Sequence, residues 1–306
     1  MRIVSFLPSA TETLYELGAA SQIVGVTHEC TFPSEARKKP RVIRPSFNPS
    51  QMTGRDVDNK IAELMHSGKD IYIVDEKILK TARPDLIVAQ GLCEVCSPFT
   101  KEVNKAVNML SQHPDVLVLD PHDLDDILVS IMDIAERIDK LKEGRKLVAS
   151  LQRRIDIVRG LKAETASSRP KVVCLEWIDP LFTAGHWVPQ MIEYAGGINA
   201  IGSAGAPSRR MDIDELVQAD PDIIVLMPCG FDINRTVKEL PALARNEKWK
   251  TSLQAVKNGN VYAVNANAYF SKPGPRTIIG LEILAKILHP ELSQHIRVPK
   301  SSYKKI

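Results

Sequence analysis

One stretch, residues 142–165, constrains how the rest of this 306-residue chain is arranged. Leu147, Leu151, Ile155, Val158 and Leu161 recur at helical spacing along one stripe, and Arg145, Gln152, Arg153, Asp156, Arg159 and Lys162 occupy the rest of the cylinder. At about 1.5 Å per residue such a helix runs roughly 35 Å, enough to reach from one small domain to the next. The break Ser167-Ser168-Arg169-Pro170 comes only at its far end. The expectation is a stiff connector and two lobes that do not swing freely.

The segments on either side share one pattern. Before the helix, Arg2-Ile3-Val4-Ser5-Phe6 reads as a buried strand, and Ser9-Ala10-Thr11-Glu12 as a capping box opening a helix that ends at Gly18. Further strands are expected at 23–27, 71–74, 86–89 and 116–119; strand, helix, strand in so short a space is a parallel crossover. Leu124, Ile127, Leu128, Ile131, Ala135 and Ile138 form the apolar stripe of a closing helix. After Pro170 the pattern restarts: Lys171-Val172-Val173-Cys174-Leu175 answers the first strand, and a helix entered through Pro189 and ended at Gly196-Gly197 answers the first helix. The run 83–88, Arg-Pro-Asp-Leu-Ile-Val, is matched by Asp-Pro-Asp-Ile-Ile-Val at 220–225, and the run 115–120 by 260–265. Three echoes in one order point to duplication. The expected division is an α/β lobe over 1–122, a closing and linking helical segment over 123–165, and a second α/β lobe over 166–306.

Composition narrows the function classes. A hydrophobic content of 44% supplies a core for two domains. The 40 basic and 37 acidic residues are well mixed, so no basic stripe suits a phosphate backbone and nucleic acid is not an expected partner. No apolar run approaches the ~18 residues of a membrane span, and the first strand begins at Arg2, which leaves no room for a signal peptide and gives a cytoplasmic location as the expectation. Gly-rich phosphate loops, a dinucleotide fingerprint and a Gly-x-Ser-x-Gly elbow are all absent from the sequence.

Several runs carry a family likeness. Arg2-Ile3-Val4-Ser5-Phe6-Leu7-Pro8-Ser9-Ala10-Thr11-Glu12, then Leu17-Gly18 and Ile23-Val24-Gly25-Val26, the strand at 83–88, Pro180-Leu181-Phe182-Thr183-Ala184-Gly185, the Gly196-Gly197 helix end and Val261-Tyr262 resemble the cobalamin, haem and siderophore substrate-binding proteins of ABC importers. The likeness covers 2 to about 290 and is greatest to the vitamin B12-binding branch. It implies an α/β, class III periplasmic-binding-protein-like fold: two Rossmann-like lobes with parallel sheets, one long rigid helix between them, and a corrinoid or related metal chelate held between the lobes without catalysis. Members of that family feed a membrane permease and carry an export signal or lipid anchor; with neither in this sequence, delivery to an ABC permease is not expected.

Ligands of open parallel sheets lie beyond the carboxyl ends of the strands. The loops there hold His28, Glu29 and Cys30; Cys93, Glu94 and Cys96; Glu176 and Trp177; and Cys229. Four of the five cysteines thus fall at strand ends, while Cys174 falls inside a strand as a core thiol. Cys30, Cys93, Cys96 and Cys229 admit a four-sulfur site for zinc or an iron–sulfur cluster, with His28 or His186 as a substitute donor, or small thiols packed around a large ligand; the third reading, thioredoxin-like redox chemistry, wants a Cys-x-x-Cys that opens a helix in a thioredoxin-type unit, which this context does not show. The metal reading carries an alternative function, a metal-centre or cluster protein, an enzyme among the options. Trp177, Trp187, Tyr269 and Phe270 fall in the same loops, where a flat macrocycle wants broad apolar walls. His186 is a candidate axial ligand, Arg276 a partner for amide or carboxylate arms, and Ser9 and Glu176 are further candidate contacts.

Overall fold

The computed structural model describes residues 1–91, 100–164 and 169–306. The chain divides into two units: Met1–Met52, Asp56–Pro121 and Asp125–Ser150 form the first, and Thr53–Arg55, His122–Leu124 and Leu151–Ile306 the second.

In the first unit the strands are β1 (Ile3–Ser5), β2 (Ile23–Thr27), β3 (Arg41–Pro45), β4 (Tyr72–Val74), β5 (Leu86–Gln90) and β6 (Asp115–Leu119), in the order β4-β3-β2-β1-β5-β6. All neighbours are parallel except β3 and β4. Alternate residues of the central strands serve opposite faces, as the pleat requires. Ile3, Leu86 and Val88 join one apolar cluster, and Val4, Ile87 and Ala89 the other. A sheet buried on both faces needs strands that are apolar throughout, which is why β1 and β5 are readable as plain apolar runs.

Helices α1 (Pro8–Glu16), α2 (Gly54–His66), α3 (Glu76–Ala82), α4 (Thr100–Asn108) and α5 (Leu124–Arg137) follow in chain order, and α6 (Leu141–Glu164) is the long helix of the amphipathic stripe. Helix α1 and strands β3 and β4 correct the sequence reading. Helix α1 has no capping box: Leu7 is its N-cap without a side-chain bond, Pro8 occupies the first turn, and Ser9 and Glu12 are both buried within the helix. Strand β3 was not expected, and β4 pairs with it antiparallel, so the 71–74 run is no parallel crossover strand. On α6, Leu147 packs on the first unit's core, while Leu151, Ile155, Val158 and Leu161 are buried in the stretch counted with the second.

The second unit holds β7 (Lys171–Trp177), β8 (Phe182–Thr183), α7 (Trp187–Tyr194), β9 (Ile198–Asn199), β10 (Arg209–Arg210), α8 (Ile213–Ala219), β11 (Ile223–Leu226), α9 (Ile233–Ala244), α10 (Glu247–Ser252), α11 (Gln254–Lys257), β12 (Val261–Val264), α12 (Ala266–Tyr269), α13 (Thr277–Leu288) and β13 (Tyr303–Lys305). Helix α7 starts at Trp187, two residues before the expected Pro189. The sheet runs β10-β8-β7-β11-β12-β13, with β9 also parallel to β7. Its core gathers Val173, Leu175, Ile224 and Leu226 with Trp249 and Leu253.

The sequence echo at 83–88 and 220–225 is a structural one. Seven-residue helices α3 and α8 are each opened by an aspartate cap, Asp75 accepting from the Ile78 N–H at 2.9 Å and Asp212 from the Glu215 N–H at 2.8 Å. Each ends in a left-handed residue, Arg83 at φ 42° and Asp220 at φ 41°, followed by a proline that cannot continue the helix. The next aspartate clasps the central strand. Asp85 accepts from the Arg2 N–H at 2.6 Å while its own N–H donates to the Arg2 carbonyl at 2.8 Å. Asp222 does the same with Lys171, at 2.7 and 2.9 Å. Among the described residues no helix is long and apolar enough to cross a membrane.

Candidate functional site

The carboxyl ends of β7, β11 and β12 are tied together by their own backbone. From the end of β11, the Met227 N–H donates to the Leu175 carbonyl at 2.9 Å and the Cys229 N–H to the Glu176 carbonyl at 3.0 Å. The Asn267 N–H of α12 then donates to the Phe231 carbonyl at 3.0 Å, and the Gly230 N–H to Ser271 Oγ at 3.1 Å. These bonds convert three separate strand ends into one loop set.

Glu176 is the half-buried carboxylate of that set. Its Oε2 accepts from Ser208 Oγ at 2.7 Å and from the Gly185 N–H at 3.4 Å. Burial pushes its pKa above the ordinary carboxylate range, against the opposing pull of those two donors. The contact depends on Gly185, where a Cβ would lie 2.4 Å from the Ser208 nitrogen and 2.6 Å from the Ala206 carbonyl oxygen. Only a residue without a side chain lets the two backbones meet this closely.

The same approach sets His186. Its N–H donates to the Ala206 carbonyl at 2.6 Å and its carbonyl accepts from the Gly205 N–H at 3.0 Å, holding φ at 52° and ψ at −119°. The imidazole lies 5.7 Å from the Trp187 ring, nearly parallel to it, and 6.1 Å from the imidazole of His122. Trp187 itself is 5% exposed and donates from Nε1 to the Phe270 carbonyl at 3.0 Å; Phe270 is 3% exposed. Both are core residues, so the four-membered aromatic wall expected from the sequence shrinks to Trp177 and Tyr269, which are half-buried. The Trp177 ring centroid is 5.1 Å from that of Phe231, whose face carries the Arg235 guanidinium at 3.9 Å. Trp177 Nε1 also donates to the Gly54 carbonyl at 3.2 Å, and Arg55 pairs with Asp179. Arg276 sits at the start of α13, 5.9 Å from the Tyr269 ring.

Other expected contacts lie elsewhere. Ser9 is 3% exposed inside α1 and its carbonyl accepts from Thr13 Oγ1 at 2.9 Å. Cys30, in the first unit, is wholly buried with Ile3, Leu7 and Val88; Thr11 Oγ1 bonds its sulfur at 3.0 Å. It is a core thiol, packed in the first unit's apolar cluster although its neighbours His28 and Glu29 are half-buried. Cys174 is likewise buried, which drives its pKa upward. Cys229 is half-buried in the second unit. Cys93 and Cys96 lie outside the described residues. Among the described residues no group of three or more His, Cys, Asp and Glu side chains is gathered for a metal ion, so the zinc or iron–sulfur reading gains no support. Ser208, Phe231, Arg235 and His122 were not foreseen. The Asp232-to-Arg235 capping spacing marks the start of α9, which carries Arg235 and which Phe231 precedes, whereas nothing local in the sequence pairs Ser208 with Glu176 or His122 with His186.

Residues 3–268 match the family described as periplasmic binding protein. A vitamin B12-binding protein of Vibrio cholerae is 23% identical over 287 residues, spanning 92% of this chain and 86% of that protein. An uncharacterized ABC transporter substrate-binding lipoprotein of Bacillus subtilis, YvrC, is 25% identical over 95% of this chain and 80% of its own length. Among solved structures, the periplasmic heme-binding protein RhuT from Roseiflexus sp. RS-1 superposes with a TM-score of 0.70 at 21% identity, covering 96% of this chain and 99% of that one.

Proposed function

Because the chain belongs to the periplasmic binding protein family, we propose that it is a non-catalytic binding protein for a cobalamin-like corrinoid or a related metal chelate of haem type. The observation that carries the reading is the loop set of the second unit. It joins a broad indole, Trp177, to a half-buried carboxylate whose Oε2 is already committed to Ser208 and Gly185. A flat chelate offers apolar faces for the first and amide N–H donors on its arms for the second. Relatives described as vitamin B12-binding and heme-binding proteins support a corrinoid or haem-type ligand. An ABC-type permease is the recipient that the family membership suggests.

Titrating the purified protein with aquocobalamin, cobinamide and haemin, and following visible bands together with tryptophan fluorescence, tests the proposal. Saturable one-to-one uptake of at least one chelate is expected. Absence of uptake of all three, from a protein with a cooperative melting transition, would remove the reading.

A further inference from the structure

The structure assigns His122 and His186 as a paired imidazole site for a borderline transition-metal ion, taken either as the free divalent ion or as the metal of a bound chelate. The chelate half of this assignment rests on the ligand proposed above; the free-ion half does not.

Two imidazoles bound to one ion through metal–nitrogen bonds of about 2.0–2.1 Å have ring centroids roughly 4.5 to 6.5 Å apart, depending on the angle at the metal. His122 and His186 are 6.1 Å apart, with ring planes inclined at 55°. Each is held where it is by an independent bond. Leu124 donates its N–H to Gln190 Oε1 on α7 at 2.8 Å, which fastens the segment carrying His122 against the helix that begins just after His186. His186 is fixed by its backbone bonds to Ala206 and Gly205 and by its stack on Trp187.

The second observation is the backbone of His186. A φ of 52° with ψ of −119° is a conformation that glycine adopts freely and a histidine adopts only under strain. Holding a side chain there suits a residue whose ring has work to do. His122 is exposed, so core packing does not account for its place beside that ring. Neutral imidazole is a donor for copper, nickel, zinc, iron and cobalt alike. With only two protein donors, the remaining coordination positions go to water or to the chelate's own nitrogens.

Untagged wild-type protein, His122→Ala and His186→Asn form the test set; asparagine, like histidine, is among the non-glycine residues enriched at positive φ, so the second variant removes the imidazole without changing that class of residue on the turn. Copper(II) followed by electron paramagnetic resonance, and nickel(II) by calorimetry, probe the free ion; haemin and aquocobinamide bands probe the chelate metal. Expected for a free-ion site is a two-nitrogen copper signature in the wild type, with affinity at least tenfold weaker in each variant. A chelate site is expected to show band shifts in the wild type that both variants lose. Copper or nickel binding and chelate bands that are the same in wild type and both variants, or no binding of any probe, overturn the assignment. Histidine-dependent copper binding without uptake of any chelate keeps the imidazole pair and removes the proposed function, whereas chelate uptake indifferent to both histidines does the reverse.

Discussion

Glu176 shows how one residue reports its surroundings. Burial lifts its pKa, and the hydrogen bonds from Ser208 and Gly185 recover only part of the difference. A carboxyl group whose folded-state pKa lies above its unfolded value, about 4.3, binds protons more readily when folded, so stability falls as pH rises from the acid range through the raised folded value. Glu176→Gln keeps an acceptor for Ser208 and removes that penalty. The variant should melt above wild type at pH 7.5, with the gap closing below about pH 4; a gap that stays constant across the range would show that ionisation of Glu176 is not its source. The two indoles separate in the same way. Trp187→Ala empties a fully packed position and breaks the bond to Phe270, and should cost about 3–5 kcal/mol in denaturant unfolding. Trp177→Ala leaves the core intact, and is expected to reduce chelate affinity on the order of tenfold with a small change in stability.

At the scale of elements, α5 and α6 meet through Gly144. A Cβ added there would lie 2.5 Å from the Ala135 Cβ, an atom fixed to its own backbone, and 3.2 Å from Met132 Sδ, which can rotate away. Helix propensity alone favours alanine over glycine by about 1 kcal/mol. Overpacking against an immovable neighbour costs about 1–3 kcal/mol and wins. Gly144→Ala is therefore expected to destabilise, and increased resistance to urea would mean that the helices separate more easily than their contact suggests. Gly160 on the same helix faces open space, so Gly160→Ala, where only propensity acts, is the matched control.

Across the whole molecule, the doubled clasp gives a prediction of its own. Asp85→Ala and Asp222→Ala each remove a carboxylate from the first N–H of a central strand, a surface bond worth about 1 kcal/mol. They fall in different units and share no partner, so the losses should add within about 0.5 kcal/mol in the double variant. A strong departure from additivity would mean that the two units do not unfold as the contacts divide them. Much of this architecture was legible in the sequence, because strands buried on two faces must be apolar throughout: β1, β5, β11 and β12 announce themselves. Strand β3 does not, since Arg41, Arg44 and Pro45 leave only Val42 and Ile43 as an apolar signal. The capping box failed because Pro8 started α1 two residues earlier than a Ser9 cap allows. Strand ends were legible from topology, which is why Glu176 and Trp177 could be placed at the carboxyl end of β7. Residue type does not say which way a loop folds back, which is why Cys30, Trp187 and Phe270 were read as lining and turned out to be core.

The matching left-handed caps at Arg83 and Asp220, each followed by proline and a clasping aspartate, make residues 83–88 and 220–225 spare parts for one another. Grafting either hexapeptide into the other's place should leave both sheets intact, since the caps differ by about one degree in φ and the strands that follow enter their sheets in the same way. On the duplication expected from the three sequence echoes, a single ancestral unit would already have owned the fastening that secures its central strand, and fusion of two copies would have needed no new one.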